Sequence, residues 1–161
     1  MASGRSAVAM SDEEVSSFLD SSLKVQVASI GPDGAPHLTT LFYVVHDGKI
    51  AFWTYGSSQK IKNLERDPRI TCLVETGTDY FELAGVSVQG TAEIVREEDR
   101  IREIGSKVVH AMAGAEDLGE LGAENVEKQV RKRVGIVVTP TRIASWDHSK
   151  MSTLPGGGTK P

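Results

Sequence analysis

Cysteine is nearly absent from the 161-residue sequence, in which Cys72 is the single one. One cysteine can form neither an internal disulfide nor a cysteine-based structural zinc site. Cys72 lies in an apolar run, and we expect a buried thiol that packs as a small hydrophobic side chain in a reducing compartment. No apolar run approaches the roughly 18 residues of a membrane span. The formal net charge of -4 lacks the basic excess of nucleic-acid-binding proteins. We therefore expect a partner that is a small molecule, with no membrane span and no nucleic acid.

Signatures of most hydrolytic and metal-dependent chemistries are also missing. The patterns GxxxxGK[ST] and GxGxxG do not occur, which argues against a nucleotide triphosphatase. The histidines are scattered, and neither a HExxH pair nor a Gly-x-Ser-x-Gly elbow is present. We assign no metal and no catalytic residue. This pattern is typical of an enzyme in which a bound organic cofactor carries the reaction.

The most informative segment runs from Trp53 to Leu64. It has the pattern of a strand end, a tight polar turn and the first turn of a helix, where unpaired N–H groups and the helix dipole favour an anion. Ser57, Ser58 and Lys60 stand at that point and predict a seat for a phosphate group. A solvated lysine beside an N-cap serine is the alternative interpretation.

Hydrophobic periodicity and turn residues predict an α+β, mainly β domain. Helices are expected from a capping box at Ser11, over 58–66, from Glu97 onwards and around 126–130, with an acidic loop over 113–122. Strands are expected over 23–27, 37–45, 50–54, 70–75, 80–95 and 135–146, the last broken at Pro140. Because hairpins rather than crossover helices join the strands, we predict a small antiparallel barrel with flanking helices.

The chain is expected to form one domain with two short tails. Residues 1–10 are predicted to be a flexible N-terminus, residues 11–152 the cofactor-binding domain, and residues 153–161 a flexible glycine-rich tail. The first ten residues have one arginine and no sustained apolar core, unlike a secretory signal. We therefore expect a cytoplasmic protein.

Two threonines precede the predicted phosphate seat. Thr39 and Thr40 lie in the strand that we expect to pair with residues 50–54, so that one faces inward and the other outward. Their hydroxyl groups either contact a ligand that lies across the sheet or belong to ordinary β-branched strand formers.

The sequence contains two tryptophans. Trp53 and Trp146 either stack on a flat heterocycle or pack in the core or in a dimer contact. The segment 146–150 follows the last strand and could reach the ligand site of a partner subunit. Within it, His148 is either a proton donor or a surface histidine.

Several short segments resemble the flavin-binding split β-barrel family, which includes the pyridoxamine 5′-phosphate oxidases. Within that family the chain looks most like the actinobacterial flavin/deazaflavin oxidoreductases that use coenzyme F420. The segments that carry the resemblance are Thr39–Val44, Phe52–Tyr55, Ser58–Lys60 with Asn63–Leu64, Arg66–Arg69, Gly90–Glu93 and Trp146–Lys150.

The resemblance implies a homodimer with two cofactor sites at the subunit interface, and hydride transfer between the cofactor ring and an electron-poor small molecule. The residues it implies fall into three groups: Ser58, Gln59, Lys60 and Asn63 at the cofactor phosphate; Thr39, Thr40, Trp53 and Thr54 along the ring; and Trp146 and Lys150 from the partner subunit.

Two departures from the pyridoxamine oxidases bear on the cofactor. Gln59 stands where those enzymes place an arginine before the phosphate-binding lysine. Their arginine-rich strand before the ring is replaced by residues 37–40. Fewer fixed charges favour coenzyme F420, with FMN as the alternative cofactor. A non-catalytic flavin-binding or haem-binding protein of the same fold is the third possibility.

Overall fold

The structure, a computed structural model, describes residues 7–114 and 119–153. The helices are α1 (Asp12–Ser21), α2 (Gln59–Arg66), α3 (Glu98–Ala113) and α4 (Gly119–Val130), with short 3-10 helices over Tyr80–Glu82 and His148–Thr153. The strands are β1 (Lys24–Ile30), β2 (Pro36–Phe42), β3 (Val44–His46), β4 (Lys49–Tyr55), β5 (Arg69–Thr76), β6 (Ala84–Val95) and β7 (Arg133–Asp147).

Within the described residues the strands form one antiparallel sheet in the order β2-β1-β5-β6-β7-β4-β3. Only Tyr43 separates β2 from β3, although these strands occupy opposite edges of the sheet. The sheet must therefore curl on itself, and the chain passes from one edge to the other at this residue. The predicted α+β split barrel with flanking helices is confirmed.

Two hydrophobic clusters lie on opposite faces of the curled sheet. Ile50 and Phe52 of β4 face the barrel interior, where side chains from β1, β5, β6 and β7 also pack. Ala51 and Trp53 alternate with them and face the second cluster, which α3 and α4 cover. Alternate side chains of β4 therefore pack inside the barrel and beneath the helices.

The predicted strand over residues 37–45 is two strands, and the predicted pairing of Thr39 and Thr40 with residues 50–54 is wrong. Thr39 lies opposite Val27, and Thr40 opposite Gln26, both in β1. Strand β4 pairs with β3 and β7 instead.

The cause of this difference is the buried side chain at the break between β2 and β3. The Tyr43 hydroxyl donates a hydrogen bond of 2.6 Å to the carbonyl oxygen of Leu19 in α1, and the Tyr43 N–H donates to the carbonyl of Leu23. The bond to Leu23 continues the β1–β2 register by one more residue pair, whereas the bond to Leu19 holds the Tyr43 side chain against α1. The strand ends at this residue, and the chain resumes on the other edge of the sheet.

Three other boundaries differ from those predicted. Residues 80–82 form a 3-10 helix before β6, and the described part of the predicted loop over 113–122 contains the start of α4 at Gly119. Strand β7 continues through Pro140, which lies opposite Gly90 at a register shift. A bulge accommodates proline because that residue needs no ladder hydrogen bond there. Gly90 allows the two strands to approach closely there, since a Cβ would lie 2.2 Å from the Thr139 carbonyl oxygen.

Several helix ends lie where the sequence predicts them. The Ser11 hydroxyl accepts from the Glu14 N–H, and the Glu14 carboxylate accepts from the Ser11 N–H, which is the expected capping box. Helix α2 ends before Asp67-Pro68, and α3 begins after Glu97. Cys72 is buried as expected, and burial raises the pKa of its thiol to about 12. That pKa keeps the thiol protonated near neutral pH.

The predicted tails fall partly outside the described residues, which exclude 1–6 and 154–161. The end of the predicted N-terminal tail contacts the barrel: the Met10 N–H donates to Ser145 Oγ, and Lys150 Nζ donates to the Ala9 carbonyl. In the described part of the chain, no helix is long and apolar enough to cross a membrane. Residues 7–114 and 119–153 also contain no group of three acidic, histidine or cysteine side chains arranged to bind a metal.

Candidate functional site

Strand β4 leads directly into the candidate phosphate seat. A tight turn follows Tyr55, with the Gly56 N–H donating to the Lys132 carbonyl and the Ser58 N–H to the Tyr55 carbonyl. Ser58 is the N-cap of α2, and Ile61 and Leu64 anchor that helix in the barrel core. The apolar anchors fix the rotation of α2.

Lys60 is the unusual group of this helix. Its residue surface is only 8% exposed, and its ammonium donates to Thr54 Oγ1 at 3.3 Å. No carboxylate lies within ion-pair distance of it among residues 7–114 and 119–153. Burial away from water lowers the pKa of Lys60, and no neighbouring charge is among the causes. A buried ammonium without a counter-charge is the natural partner of an anion.

Two buried hydroxyl oxygens in the predicted cofactor-binding set lack a partner in the structure. Ser58 Oγ makes no capping bond to α2, and Thr39 Oγ1 is buried on the barrel face of β2 opposite Val27. His37 Nδ1, on the same face of β2 as Thr39, is also buried without a partner. Buried polar atoms are normally paired, because an unpaired one costs about 1–3 kcal/mol. Ser58 and Thr39 are thus available to accept from or donate to a ligand.

Asn63 ties the helix to the barrel instead of presenting free polar atoms. It is fully buried, and its Nδ2 donates to Ser29 Oγ at 3.0 Å. Its Oδ1 accepts from Gln59 Nε2 at 2.9 Å. Since Ser29 lies opposite His37 in the β1–β2 ladder, this network fixes α2 relative to the strand that carries Thr39. The structure brings the predicted residues Gln59 and Asn63 together, and Asn63 connects α2 to β1.

The ring residues predicted from the sequence divide between two faces of the sheet. Thr39 and Thr54 lie toward the barrel, whereas Thr40 and Trp53 line a separate cavity of about 360 Å³ beneath α3 and α4. The further lining residues are Leu41, Phe42, Val108, Val109, Met112, Asn125, Gln129 and Arg133.

Sequence reasoning missed Arg133. It lies directly opposite Tyr55 at the start of β7, and its guanidinium carbon lies 4.6 Å from the Trp53 ring centroid and 4.3 Å from the Tyr55 ring centroid. Trp53 and Tyr55 are two residues apart in β4, so the sequence predicts that their rings share one face of the strand. The strand register that brings an arginine onto these rings cannot be predicted from the sequence.

Trp146 and Lys150 lie at the opposite end of β7 from the phosphate seat. Val134 pairs with Thr54, and Trp146 is twelve residues further along the same strand. That separation corresponds to roughly 40 Å of strand.

The far end of β7 is packed against its own chain. The Trp146 ring covers Gly85, where a Cβ would lie 2.3 Å from the indole. Lys150 Nζ donates to the Glu14 carboxylate at 2.6 Å. His148 Nδ1 lies 2.9 Å from the Tyr80 carbonyl oxygen, and its ring contacts the Tyr80 ring. Ser57, in contrast, lies in the turn before α2, next to Ser58.

Comparison with known proteins gives one family and several related structures. The family model described as pyridoxamine 5′-phosphate oxidase matches residues 11–147. A crystal structure of the conserved hypothetical protein Rv2991 from Mycobacterium tuberculosis is 39% identical, with a TM-score of 0.86 over 99% of this chain and 98% of that one. None of the curated proteins compared matches the sequence.

More distant structures share the fold. An FAD-binding protein from Mesorhizobium loti is 16% identical, with a TM-score of 0.66 over 85% of this chain and 94% of that one. A structure named F420 reductase is 20% identical, with a TM-score of 0.55 over 80% of this chain and 94% of that one. At these identities the likeness concerns the barrel and not the ligand.

Proposed function

The chain belongs to the pyridoxamine 5′-phosphate oxidase family of split β-barrels, and we propose that it is an oxidoreductase that uses coenzyme F420 to reduce an electron-poor small molecule. The observation that carries the proposal is the buried ammonium of Lys60, which has no carboxylate partner among the described residues, in the same helix turn as the N-cap Ser58, whose hydroxyl oxygen is buried without a hydrogen bond. Coenzyme F420 contains the phosphodiester anion that such a seat would bind. When bound, its deazaflavin ring supplies the hydride.

The residues of this chain would bind and orient the cofactor. Lys60 and Ser58 would hold the phosphate, assisted by Ser57, by the Gln59 side chain and by the first N–H groups of α2. Thr54 would keep the Lys60 ammonium in place through its 3.3 Å hydrogen bond. The buried Lys60 supplies one positive charge to the seat, whereas an FMN phosphate carries up to two negative charges. A phosphodiester has a single negative charge, which favours F420 over FMN.

Only one of the two threonines of β2 would contact the ring, because their side chains lie on opposite faces of the sheet. The unpaired Thr39 hydroxyl faces the barrel, and Thr40 lines the cavity beneath the helices together with Trp53. Apolar side chains of that cavity would exclude water from the reacting atoms. Holding the reactants in alignment contributes roughly 7–11 kcal/mol in well-oriented systems.

The proposal includes a homodimer in the cytoplasm, with sites shared between subunits. Trp146 lies at the far end of β7 from Thr54, the hydrogen-bond partner of Lys60, and this separation favours a contribution of Trp146 from a second copy of the chain. A symmetric dimer places the same two groups together twice.

A binding panel tests the cofactor assignment. Purified protein is titrated with F420 and FMN, with binding followed by quenching of the cofactor fluorescence, and the protein as purified is scanned for a flavin or Soret band. We expect tighter binding of F420 than of FMN and no haem absorbance. If FMN binds more tightly, the protein would be a flavin-dependent oxidoreductase instead of a deazaflavin-dependent one. Failure of both to bind would refute it.

Hybrid dimers test whether the site is shared. A Lys60→Ala chain and a Trp146→Ala chain are each expected to lose F420 binding, but a hybrid of the two retains one intact site. Unfolding the two chains together and refolding them gives random pairing, which should restore about a quarter of the wild-type sites. If mixing restores none, Lys60 and Trp146 belong to the same chain's site or to no common site.

A further inference from the structure

The cavity beneath α3 and α4 contains an arginine with an unusual environment. Its guanidinium is half-buried and contacts the aromatic faces of Trp53 and Tyr55. Its Nε donates to Gln129 Oε1 at 3.2 Å. No further hydrogen bond or ion pair of the Arg133 side chain occurs within residues 7–114 and 119–153.

Other arginines of the described chain show how differently this one is placed. Arg102, which is also half-buried, is paired with Glu127 and Asp99, and Arg100 is paired with Glu93. Arg133 instead combines partial burial, a cavity and the absence of a carboxylate.

The arrangement suits recognition of a planar anion. The Trp53 and Tyr55 rings contact the guanidinium and Gln129 accepts from its Nε, so the side chain is already ordered before a ligand arrives. The terminal nitrogens then remain for a carboxylate, whose two oxygens match the guanidinium fork. Phe42 and Met112 give the same cavity apolar walls.

We propose that this cavity is a carboxylate-binding subsite in which Arg133 binds the anionic group of a small organic acid and Gln129 positions the guanidinium. The inference rests on the proposed function only for the source of the carboxylate. That source is either the reducible substrate or the glutamate tail of coenzyme F420. The shared chemistry is a carboxylate attached to an apolar or planar body.

The first experiment uses simple probes and no cofactor. Benzoate and its neutral analogue benzamide are titrated into a Trp146→Phe chain, in which Trp53 is the single tryptophan and reports directly on the cavity. We expect benzoate to change Trp53 fluorescence at a concentration at least tenfold below that required for benzamide. Arg133→Gln should weaken benzoate binding at least tenfold and leave benzamide unchanged.

The matched control is Arg131→Gln, which removes the same charge from an exposed position two residues away. It should leave benzoate affinity unchanged within twofold. If Arg133→Gln fails to fold, Arg133→Lys retains the charge but not the planar fork and should weaken benzoate binding several-fold. Equal affinity for benzoate and benzamide, or equal benzoate affinity of wild type and the Arg133 variant, overturns the proposal.

A second experiment separates the two sources of the carboxylate. The Arg133→Gln chain is titrated with F420 and with the form of F420 that keeps the phosphodiester but lacks the glutamate residues. A loss of affinity for F420 alone assigns the carboxylate to the tail; unchanged affinity for both assigns it to the substrate. Since the benzoate titration needs no cofactor, failure of F420 to bind refutes the proposed function without affecting this subsite.

Discussion

Replacing Lys60 by methionine should change stability and ligand binding in opposite directions. The ammonium is buried, its pKa is lowered by desolvation, and Thr54 is its hydrogen-bond partner. Methionine has a similar length and no charge. Removing an unpaired buried charge should stabilise the ligand-free protein by on the order of 1 kcal/mol, after allowing for the lost hydrogen bond. In a domain of this size that gain raises Tm by about 2–4 °C.

The same change should weaken cofactor binding. A hydrogen bond to a charged group contributes about 1.5–3 kcal/mol. Because about 1.4 kcal/mol corresponds to a factor of ten, F420 affinity should fall roughly tenfold to a hundredfold. At a cofactor concentration of about 100 times Kd, wild type gains about 2.7 kcal/mol of stability from binding. The variant should gain much less at that concentration, so the order of the two Tm values should reverse.

Thermal unfolding with and without F420 measures both effects in one assay. The matched control is Lys62→Met, since Lys62 is exposed in the same helix. That control should change neither the ligand-free Tm by more than a degree or two nor the gain on adding F420. A Lys60→Met chain that gains as much from F420 as wild type would remove Lys60 from the site. A large loss of stability without ligand would show that the ammonium is structural.

The pH dependence follows from the same lowered pKa. Since the folded protein has the lower Lys60 pKa, the unfolded chain binds more protons between the folded and unfolded values. Wild-type stability should therefore rise with pH through this window. Lys60→Met should lack that rise, and the difference between the two pH profiles isolates the contribution of this group.

Two further predictions concern the frame around the site. Arg69, through its side-chain hydrogen bonds, lowers the pKa of Asp67 to about 2. The stability that this carboxylate contributes should therefore be present above about pH 4 and be lost as the pH falls towards 2. Asp67→Asn should reduce this loss of stability at acid pH, measured by urea unfolding, and an unchanged loss would contradict the pairing. Gly105→Ala should destabilise the protein by about 1 kcal/mol. The new Cβ would lie 2.4 Å from the Trp53 ring, and such overpacking costs about 1–3 kcal/mol, which exceeds the gain in helix propensity of up to about 1 kcal/mol. A higher Tm would show that the indole can move away.

The parts of the fold that were predictable depend on neighbours in the sequence. Ser58 and Pro68 delimit α2 by local backbone effects, and Asp47-Gly48 forms the hairpin turn with positive φ at both residues. Short hairpins between strands were also sufficient to indicate an antiparallel barrel. These signals act over a few residues and need no knowledge of packing.

The errors came from contacts between distant parts of the chain. The break at Tyr43 depends on its hydroxyl reaching Leu19, which no strand pattern encodes. The pairing of Thr39 with β1 follows from that break. Arg133 was missed for the same reason: its contact with the aromatic rings depends on the pairing of β7 with β4, which places it opposite Tyr55. Candidate binding residues were therefore easier to find where one helix end supplies several of them.

The two lysines assigned to the cofactor differ in what already neutralises them. Lys150 donates to the Glu14 carboxylate at 2.6 Å, and this contact is the largest cause that lowers the pKa of Glu14. An anionic ligand would have to compete with that carboxylate for the Lys150 ammonium. Lys60 has no carboxylate partner in the described chain, so a ligand phosphate would neutralise it without breaking an ion pair. We therefore propose that Lys60 binds the phosphate, and that a partner subunit would contribute the Trp146 ring rather than Lys150.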